Sequence, residues 1–202
     1  MEIAELVGTF VFAISGVIAV AERRLDWFGA IVIGIVTAIG GGTMRGLILG
    51  ETPVFWIDDQ IYLLFALIGS VAAIPLVRTF GTSHSLFENS LQLADALGLA
   101  LFSIVGASIT LELGFNGLIA MVCGILTGVG GGVIRDLLAG QTPLIMRGEI
   151  YATAALAGTI LFVLLYDTLG TAQWIASALG MLTIFGLRMA GLKRDWSLPR
   201  LG

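Results

Sequence analysis

The stretch GGGTMRGLILGETP occupies residues 40–53, and a close copy, GGGVIRDLLAGQTP, occupies residues 130–143. Eight of the fourteen aligned positions are identical, including the glycine triplet and the arginine three residues after it, Arg45 or Arg135. Both copies stand among apolar residues, where an arginine needs a specific reason to be present. The chain is therefore predicted to contain two homologous halves that use the same glycines and the same charge.

The repeat extends beyond these stretches at the same offset of ninety residues. Upstream and downstream matches involve glycines, aromatic residues and threonines. The pairs are Gly8/Gly98, Phe12/Phe102, Gly16/Gly106, Gly34/Gly124 and Thr37/Thr127, with Tyr62 matching Tyr151 after a shift of one residue.

The composition predicts an integral membrane protein. Hydrophobic residues make up 57% of the chain and charged residues only 12%, whereas a soluble domain carries about 25% charged residues. The single cysteine, Cys123, excludes an intrachain disulfide framework and argues against a cysteine-rich metal site. A net charge of −4 gives no case for a nucleic-acid partner. The sequence contains no nucleophile–base pair and no metal-ligand cluster, so we expect neither an enzyme nor a cofactor.

Seven segments are apolar and long enough to cross a hydrocarbon core of about 30 Å. The polar stretch 81–92 separates two groups of three, and it is predicted to link the halves. The predicted spans are residues 3–21, 28–50, 61–80, 93–113, 117–139, 150–166 and 172–189.

The basic residues predict the orientation. Apart from the two motif arginines, all eight that lie near span ends fall on one side of the predicted topology, and the other side carries only acidic residues. The positive-inside rule then places the N-terminus outside and the C-terminus in the cytoplasm. The eight are Arg23, Arg24, Arg78, Arg147, Arg188, Lys193, Arg194 and Arg200.

Each half contains an odd number of spans, so the second copy enters the membrane from the opposite side. This predicts an all-α protein with an inverted 3+3 repeat and an added seventh helix. The expected organisation is a first repeat at 1–80, a linker at 81–92, a second repeat at 93–166, and a seventh helix with a cytoplasmic tail at 167–202. Inverted repeats are typical of transport proteins, whose pathways lie near the bilayer midplane.

The triplets Gly40–Gly41–Gly42 and Gly130–Gly131–Gly132 predict a break or kink in the second and fifth helices. Each glycine weakens a helix by about 1 kcal/mol relative to Ala, and the freed carbonyl groups need partners that lipid does not supply. Inverted symmetry would place the two kinks in opposite leaflets.

The motif arginines pose the sharpest question. An arginine at the centre of a membrane helix costs roughly 2.5–3.5 kcal/mol on insertion scales. Arg45 and Arg135 could extend to the nearer interface, donate to the glycine carbonyls, or line a water-filled path. Asp136 could pair with an arginine or attract cations at the cytoplasmic mouth, but its counterpart in the first copy is Gly46. Thr37 and Thr127, which precede the triplets by one turn, are the best pore-lining candidates among the hydroxyl residues.

Two copies of glycine-glycine-glycine-x-x-arginine in a chain of this size resemble the prokaryotic TRIC (trimeric intracellular cation) channels and the related bacterial proteins called glycine-transporter-like. The resemblance covers nearly the whole chain. It implies a seven-helix protomer, a homotrimer in the lipid bilayer of a bacterial or archaeal plasma membrane, and a pathway for monovalent cations, chiefly potassium, between the second and fifth helices of each protomer. It also implies that the triplets, with Arg45 and Arg135, shape that pathway.

Two functions remain open from the sequence. A cation channel agrees with the resemblance, although arginines beside the path should repel cations. A secondary transporter of a small zwitterion such as glycine would use intramembrane arginines to bind a carboxylate.

Overall fold

The computed structural model shows an all-helical protein, as predicted from the sequence. It describes residues 1–21, 23, 25–80, 84–147, 150–194 and 196–197, without the side chains of residues 80 and 84–87. Arg24, Arg200 and positions 81–83 of the predicted linker lie outside the described residues. Eight α-helices occur within these ranges: α1 Glu2–Ala19, α2 Trp27–Leu49, α3 Phe55–Asp58, α4 Ile61–Phe80, α5 His84–Glu112, α6 Gly117–Leu138, α7 Ala152–Val163 and α8 Gln173–Arg194.

Six of the described helices are long and apolar enough to cross a membrane, namely α1, α2, α4, α5, α6 and α8. The remaining predicted span corresponds to α7, which is shorter and continues as a π-helical turn at Leu164–Thr168. A crossing by α7 stays a prediction. Helix α5 begins at His84, so most of the expected linker is helical and α5 is the longest described helix.

The two glycine-rich helices begin in the same way. Asp26 caps α2 by accepting a hydrogen bond from the Gly29 amide at 2.7 Å, and Asn116 caps α6 by accepting one from the Ile119 amide at 3.0 Å. Short polar side chains at this position satisfy amide groups that the first helical turn leaves unpaired. Because Asp26 and Asn116 also lie ninety positions apart, the repeat extends to the helix starts.

Helices α1, α2, α5 and α6 pack together at the centre of the molecule, and α5 is the most enclosed of the spanning helices. The rings of Phe12 on α1 and Phe102 on α5 meet at 5.2 Å. Each ring also covers a glycine of the other helix. A side chain at Gly8 would touch Phe102, and one at Gly98 would overlap Phe12. These small residues let α1 and α5 approach closely.

The expectation that the triplets interrupt their helices is wrong. The α-helical assignment is continuous across residues 40–42 and 130–132. The physical reason is that α2 and α6 contact each other at the triplets, so tertiary packing offsets the weak helix propensity of glycine. A bend of either helix axis stays a prediction.

Candidate functional site

The residues singled out from the sequence all lie on α2 and α6, and all are buried. They fall into a central set of glycines and threonines and two charged ends, which contain Arg45 and Arg135 respectively. The eleven residues are Gly40, Gly41, Gly42, Gly130, Gly131, Gly132, Thr37, Thr127, Arg45, Arg135 and Asp136.

The middle glycine of each triplet permits direct contact between α2 and α6. A Cβ atom at Gly41 would overlap the Thr127 carbonyl oxygen, and one at Gly131 would overlap the Thr37 carbonyl oxygen. The contact is reciprocal, because each middle glycine faces the threonine carbonyl of the other helix. A Cβ atom at Gly130 would also lie 3.2 Å from the Cα of Gly41. The backbones of the two helices therefore touch where the motifs cross.

The last glycine of each triplet accommodates an aromatic side chain instead. A Cβ atom at Gly42 would lie 2.7 Å from the ring of Phe55, and one at Gly132 would lie 2.8 Å from the Tyr151 hydroxyl. A side chain at either position would displace an aromatic residue beside a charged end. The middle and last glycines thus serve two kinds of close approach, one to backbone and one to aromatic side chains.

The threonines of the motif use their hydroxyl groups locally. Thr37 Oγ1 donates to the carbonyl of Ile33 at 2.7 Å, and Thr127 Oγ1 donates to the carbonyl of Cys123 at 2.6 Å. Such bonds to the preceding turn satisfy a buried hydroxyl inside a membrane helix. Both threonines are almost fully buried in this conformation.

Arg45 lies in a first charge cluster made of Glu5, Arg45, Glu51 and Tyr62. Its Nη1 lies 3.8 Å from Glu5 Oε1, and its Nε lies 3.4 Å from Glu51 Oε2. The Tyr62 hydroxyl donates to Glu5 Oε2 at 3.0 Å. Among the described residues, Nε and Nη1 of Arg45 are buried and form no hydrogen bond. The arginine is therefore neutralised by nearby carboxylates but loosely held.

A left-handed residue at the end of α2 brings Glu51 to this cluster. Gly50 has φ +75°, a conformation that glycine adopts without steric cost, and the following amide of Glu51 donates to the Gly46 carbonyl at 2.8 Å. This C-terminal turn keeps Glu51 beside the last turn of α2. The glycine of the sequence GETP thus positions a carboxylate near Arg45.

Arg135 lies in a second charge cluster made of Asp95, Arg135, Asp136 and Tyr151. Its Nη1 donates to Asp95 Oδ1 at 2.8 Å and its Nε donates to Asp136 Oδ1 at 2.9 Å. The Tyr151 hydroxyl donates to the same Asp95 oxygen at 3.3 Å. All four residues are at most 1% exposed. Charge-assisted hydrogen bonds of this length are among the stronger polar contacts in proteins.

The second cluster is anchored to surrounding elements. Arg135 also donates to the Ser15 hydroxyl at 3.2 Å, which joins α6 to α1, and Asp136 Oδ2 accepts from the Leu144 amide at 3.0 Å, which fixes the loop after α6. The guanidinium of Arg188 on α8 lies 5.2 Å from the centre of the Tyr151 ring. Four parts of the chain thus hold the second cluster in place.

The two clusters share one pattern, an acid, an arginine and a tyrosine in the same chain order. Glu5 and Asp95 lie ninety positions apart, like Arg45 and Arg135. The sequence reasoning missed both acids as arginine partners, because it looked for a carboxylate next to each arginine. The repeat offset was the signal that could have found them.

The contacts of the motif arginines bear on the alternatives left open for them, of which the water-filled path stays a prediction. Arg45 is 2% exposed and Arg135 is fully buried, so neither guanidinium group reaches the protein surface. The contacts described for both side chains run to carboxylates, and for Arg135 also to a serine. Carboxylate pairing therefore explains how both charges are tolerated inside a membrane protein.

Comparison with known proteins places this arrangement in a family. The model of a family described as "Glycine transporter" matches residues 2–78 and 92–167. The inner membrane protein YadS of Escherichia coli K12, a UPF0126 protein, is 42% identical over 195 residues, which cover 96% of this chain and 93% of the relative.

Solved structures give the same result for the fold. The TRIC trimeric intracellular cation channel orthologue from Rhodobacter sphaeroides has a TM-score of 0.89 and 36% identity, over 96% of this chain and 98% of that one. A second TRIC cation channel has a TM-score of 0.86 and 34% identity, over 100% of this chain and 97% of that one. The resemblance drawn from the doubled motif is confirmed. This chain is an integral membrane protein that belongs to the family described as "Glycine transporter" and has the fold of the TRIC channels.

Proposed function

We propose that the protein is a channel for monovalent cations, chiefly potassium. The proposal is supported by similarity above 30% identity, over nearly the full length, to two solved proteins named as TRIC cation channels. The observation that carries it is the pairing of each motif arginine with two carboxylates. This pairing removes the objection that bare arginines would repel cations from the path.

The proposed pathway runs within each protomer between α2 and α6. The two charge clusters lie toward opposite ends of the two helices, with the glycine crossing and Thr37 and Thr127 between them. Carboxylates at the ends of a path favour cations over anions. The glycines and the motif residues Arg45, Arg135 and Asp136 are proposed to shape and gate this path.

We propose that this conformation is closed. Because the backbones of α2 and α6 touch at Gly41 and Gly131, an ion passing between them needs the helices to move apart. Glycine packing suits such a movement, since no side chains have to be disentangled. Arg45 forms no hydrogen bond through Nε or Nη1, whereas Arg135 donates to three side chains. We therefore propose that the first charge cluster rearranges more easily than the second.

The topology of the proposed channel follows the sequence prediction. It has seven spans, with α7 and its π-helical turn as the sixth, an N-terminus outside and a C-terminus in the cytoplasm. The repeats are residues 1–80 and 93–166, joined by residues 81–92 and followed by residues 167–202. A homotrimer is proposed because the Rhodobacter sphaeroides relative is named as trimeric.

A secondary transporter of a small zwitterion such as glycine is the second candidate. Two observations favour it: the family description and the first charge cluster. There an under-bonded Arg45 lies 3.4 and 3.8 Å from two carboxylates. A zwitterion could bind its carboxylate to Arg45 and its ammonium to Glu5 or Glu51.

Planar bilayers and proteoliposomes separate the two functions. We expect the purified protein to give discrete currents that reverse near the potassium equilibrium potential under a potassium chloride gradient. Silent bilayers together with saturable glycine uptake by proteoliposomes would instead establish the transporter. Both assays should include Gly186→Ala, because a Cβ atom at Gly186 has no neighbour within 4 Å, and this variant should behave like the wild type.

A further inference from the structure

A groove lined by α1, α4 and α5 opens on the surface of the helical bundle, and none of its lining residues belongs to either charge cluster. Its apolar part has a volume of about 310 Å³ and is lined by eight hydrophobic side chains and Ser90. Ligand sites fall in the range of about 300–1,000 Å³. Leu76, Leu93 and Leu97 on its walls are 37–44% exposed in the isolated chain, so this part is suited to contact with hydrocarbon.

A second cavity of about 160 Å³ lies beside the apolar part, near the end of α1. It shares Val77 with the apolar part and is lined by Arg23, Arg78, Asp26 and Trp27. The wall of the groove therefore changes from aliphatic to cationic over the last turns of α1 and α4. Trp27 is 65% exposed, and tryptophan favours the headgroup level of a bilayer.

We propose that this groove binds an anionic phospholipid. One acyl chain occupies the apolar part, and the phosphate lies between Arg23 and Arg78. Basic pockets between membrane helices are suited to anionic headgroups. This inference is independent of the proposed channel activity, since it uses none of the residues of the charge clusters.

The two arginines have donors available for a phosphate. A guanidinium group carries five N–H donors in a planar fork that matches phosphate oxygens. Arg23 uses one terminal nitrogen to donate to the Gly140 carbonyl at 3.3 Å. Within the part of the chain that the structure describes, no ion pair involves Arg78. Asp26 caps α2 and keeps its negative charge, and the two arginines leave this part of the lining with a formal charge of +1.

The order of the cationic and aliphatic parts along the groove favours a lipid over a second copy of this chain. A phospholipid presents a negative headgroup and an aliphatic chain in the order in which the groove presents cations and aliphatic walls. A neighbouring protomer would need to supply an acidic group above a protruding apolar side chain. The lipid is already present in the surrounding bilayer at high concentration.

Native mass spectrometry of the detergent-purified protein tests the headgroup site. We expect the wild type to retain phosphatidylglycerol at least tenfold better than phosphatidylcholine with the same acyl chains. The double substitution Arg23→Gln with Arg78→Gln should abolish this preference. Arg147→Gln is the matched control, because Arg147 is an exposed arginine in another loop, and it should retain the preference. An unchanged preference in the double variant would overturn the proposal.

A second variant tests the acyl site. Ala94 lines the apolar part, and Ala94→Phe should reduce retention of both lipids at least fivefold. Equal retention in Ala94→Phe and the wild type would show that the chain lies elsewhere. Glycerol phosphate, which has no acyl chain, should fail to raise the thermal unfolding midpoint, whereas phosphatidylglycerol should raise it. An equal rise of the unfolding midpoint with glycerol phosphate would show that the site binds a free anion without an acyl chain, and it would overturn the lipid assignment.

Cysteine cross-linking tests the competing occupant. Leu97→Cys, placed in a Cys123→Ala background, should react with a lipid-soluble maleimide and should not form a disulfide between protomers. Efficient cross-linking between protomers through this position would show that a second copy covers the groove, and it would overturn the lipid assignment.

Discussion

Phe12 and Phe102 occupy equivalent places in the two sequence repeats and contact each other directly, with ring centroids 5.2 Å apart. A residue that touches its own repeat counterpart is expected close to a twofold pseudosymmetry axis. The contacts of Gly41 with Thr127 and of Gly131 with Thr37 are also related by the repeat, because each contact is the counterpart of the other. The centre of this protein is thus built from small and aromatic residues whose contacts are related by the repeat.

Replacing Gly41 with alanine should destabilise the protein. The added methyl group would meet the backbone carbonyl of Thr127, and backbone shifts caused by overpacking cost about 1–3 kcal/mol. We expect a lower midpoint of thermal unfolding in detergent. The control Gly186→Ala meets no neighbour and should leave the midpoint unchanged or raise it slightly. Equal stability of the two variants would contradict the close packing of α2 and α6.

The two charge clusters should respond differently to loss of an acid. Asp95→Asn removes a carboxylate that bonds Arg135 at 2.8 Å in a fully buried site, and breaking such pairs costs up to about 3–5 kcal/mol. Glu5→Gln removes a carboxylate whose Oε1 lies 3.8 Å from Arg45 Nη1, so it should lower the free energy of unfolding by less. Thermal unfolding of both variants measures the difference. A larger drop in the unfolding midpoint for Glu5→Gln than for Asp95→Asn would refute the conclusion that the second charge cluster is the more tightly bonded.

Glu51→Gln should lower cation conductance without unfolding the protein. The side chain of Glu51 is 29% exposed, and its loss changes the formal charge of Arg45, Glu5 and Glu51 from −1 to zero. Because exposed charges are screened by salt, the reduction should be larger in 20 mM than in 1 M potassium chloride. Asp167→Asn, an exposed acidic residue at the start of the segment 167–202, is the matched control. A reduction that is independent of salt would argue against an electrostatic role.

The orientation predicts which cysteines an impermeant maleimide reaches. In a Cys123→Ala background, Asp59→Cys should be labelled in intact cells, because the proposed orientation places the loop after α3 outside. Arg147→Cys should be labelled only after permeabilisation. The reverse pattern would show that the protein is inserted with its N-terminus in the cytoplasm.

Much of the fold was predictable because hydrophobic runs and helix caps are local signals. Six predicted spans correspond to long apolar helices, and the repeated motif identified the buried arginines. The start of α5 was placed too late, because residues 84–92 are polar enough to read as a connection although they are helical. The helix interruption at the triplets was wrong for a related reason, since propensity alone cannot include the packing of α2 on α6.

The sequence by itself determined that the protein spans a membrane, that its halves are related, and that two arginines need partners. Only the tertiary structure decided that these partners are Glu5 with Glu51 and Asp95 with Asp136. Hydropathy and spacing define each helix separately, whereas ion pairs and glycine contacts depend on which faces of different helices meet. That choice is made when the helices pack together.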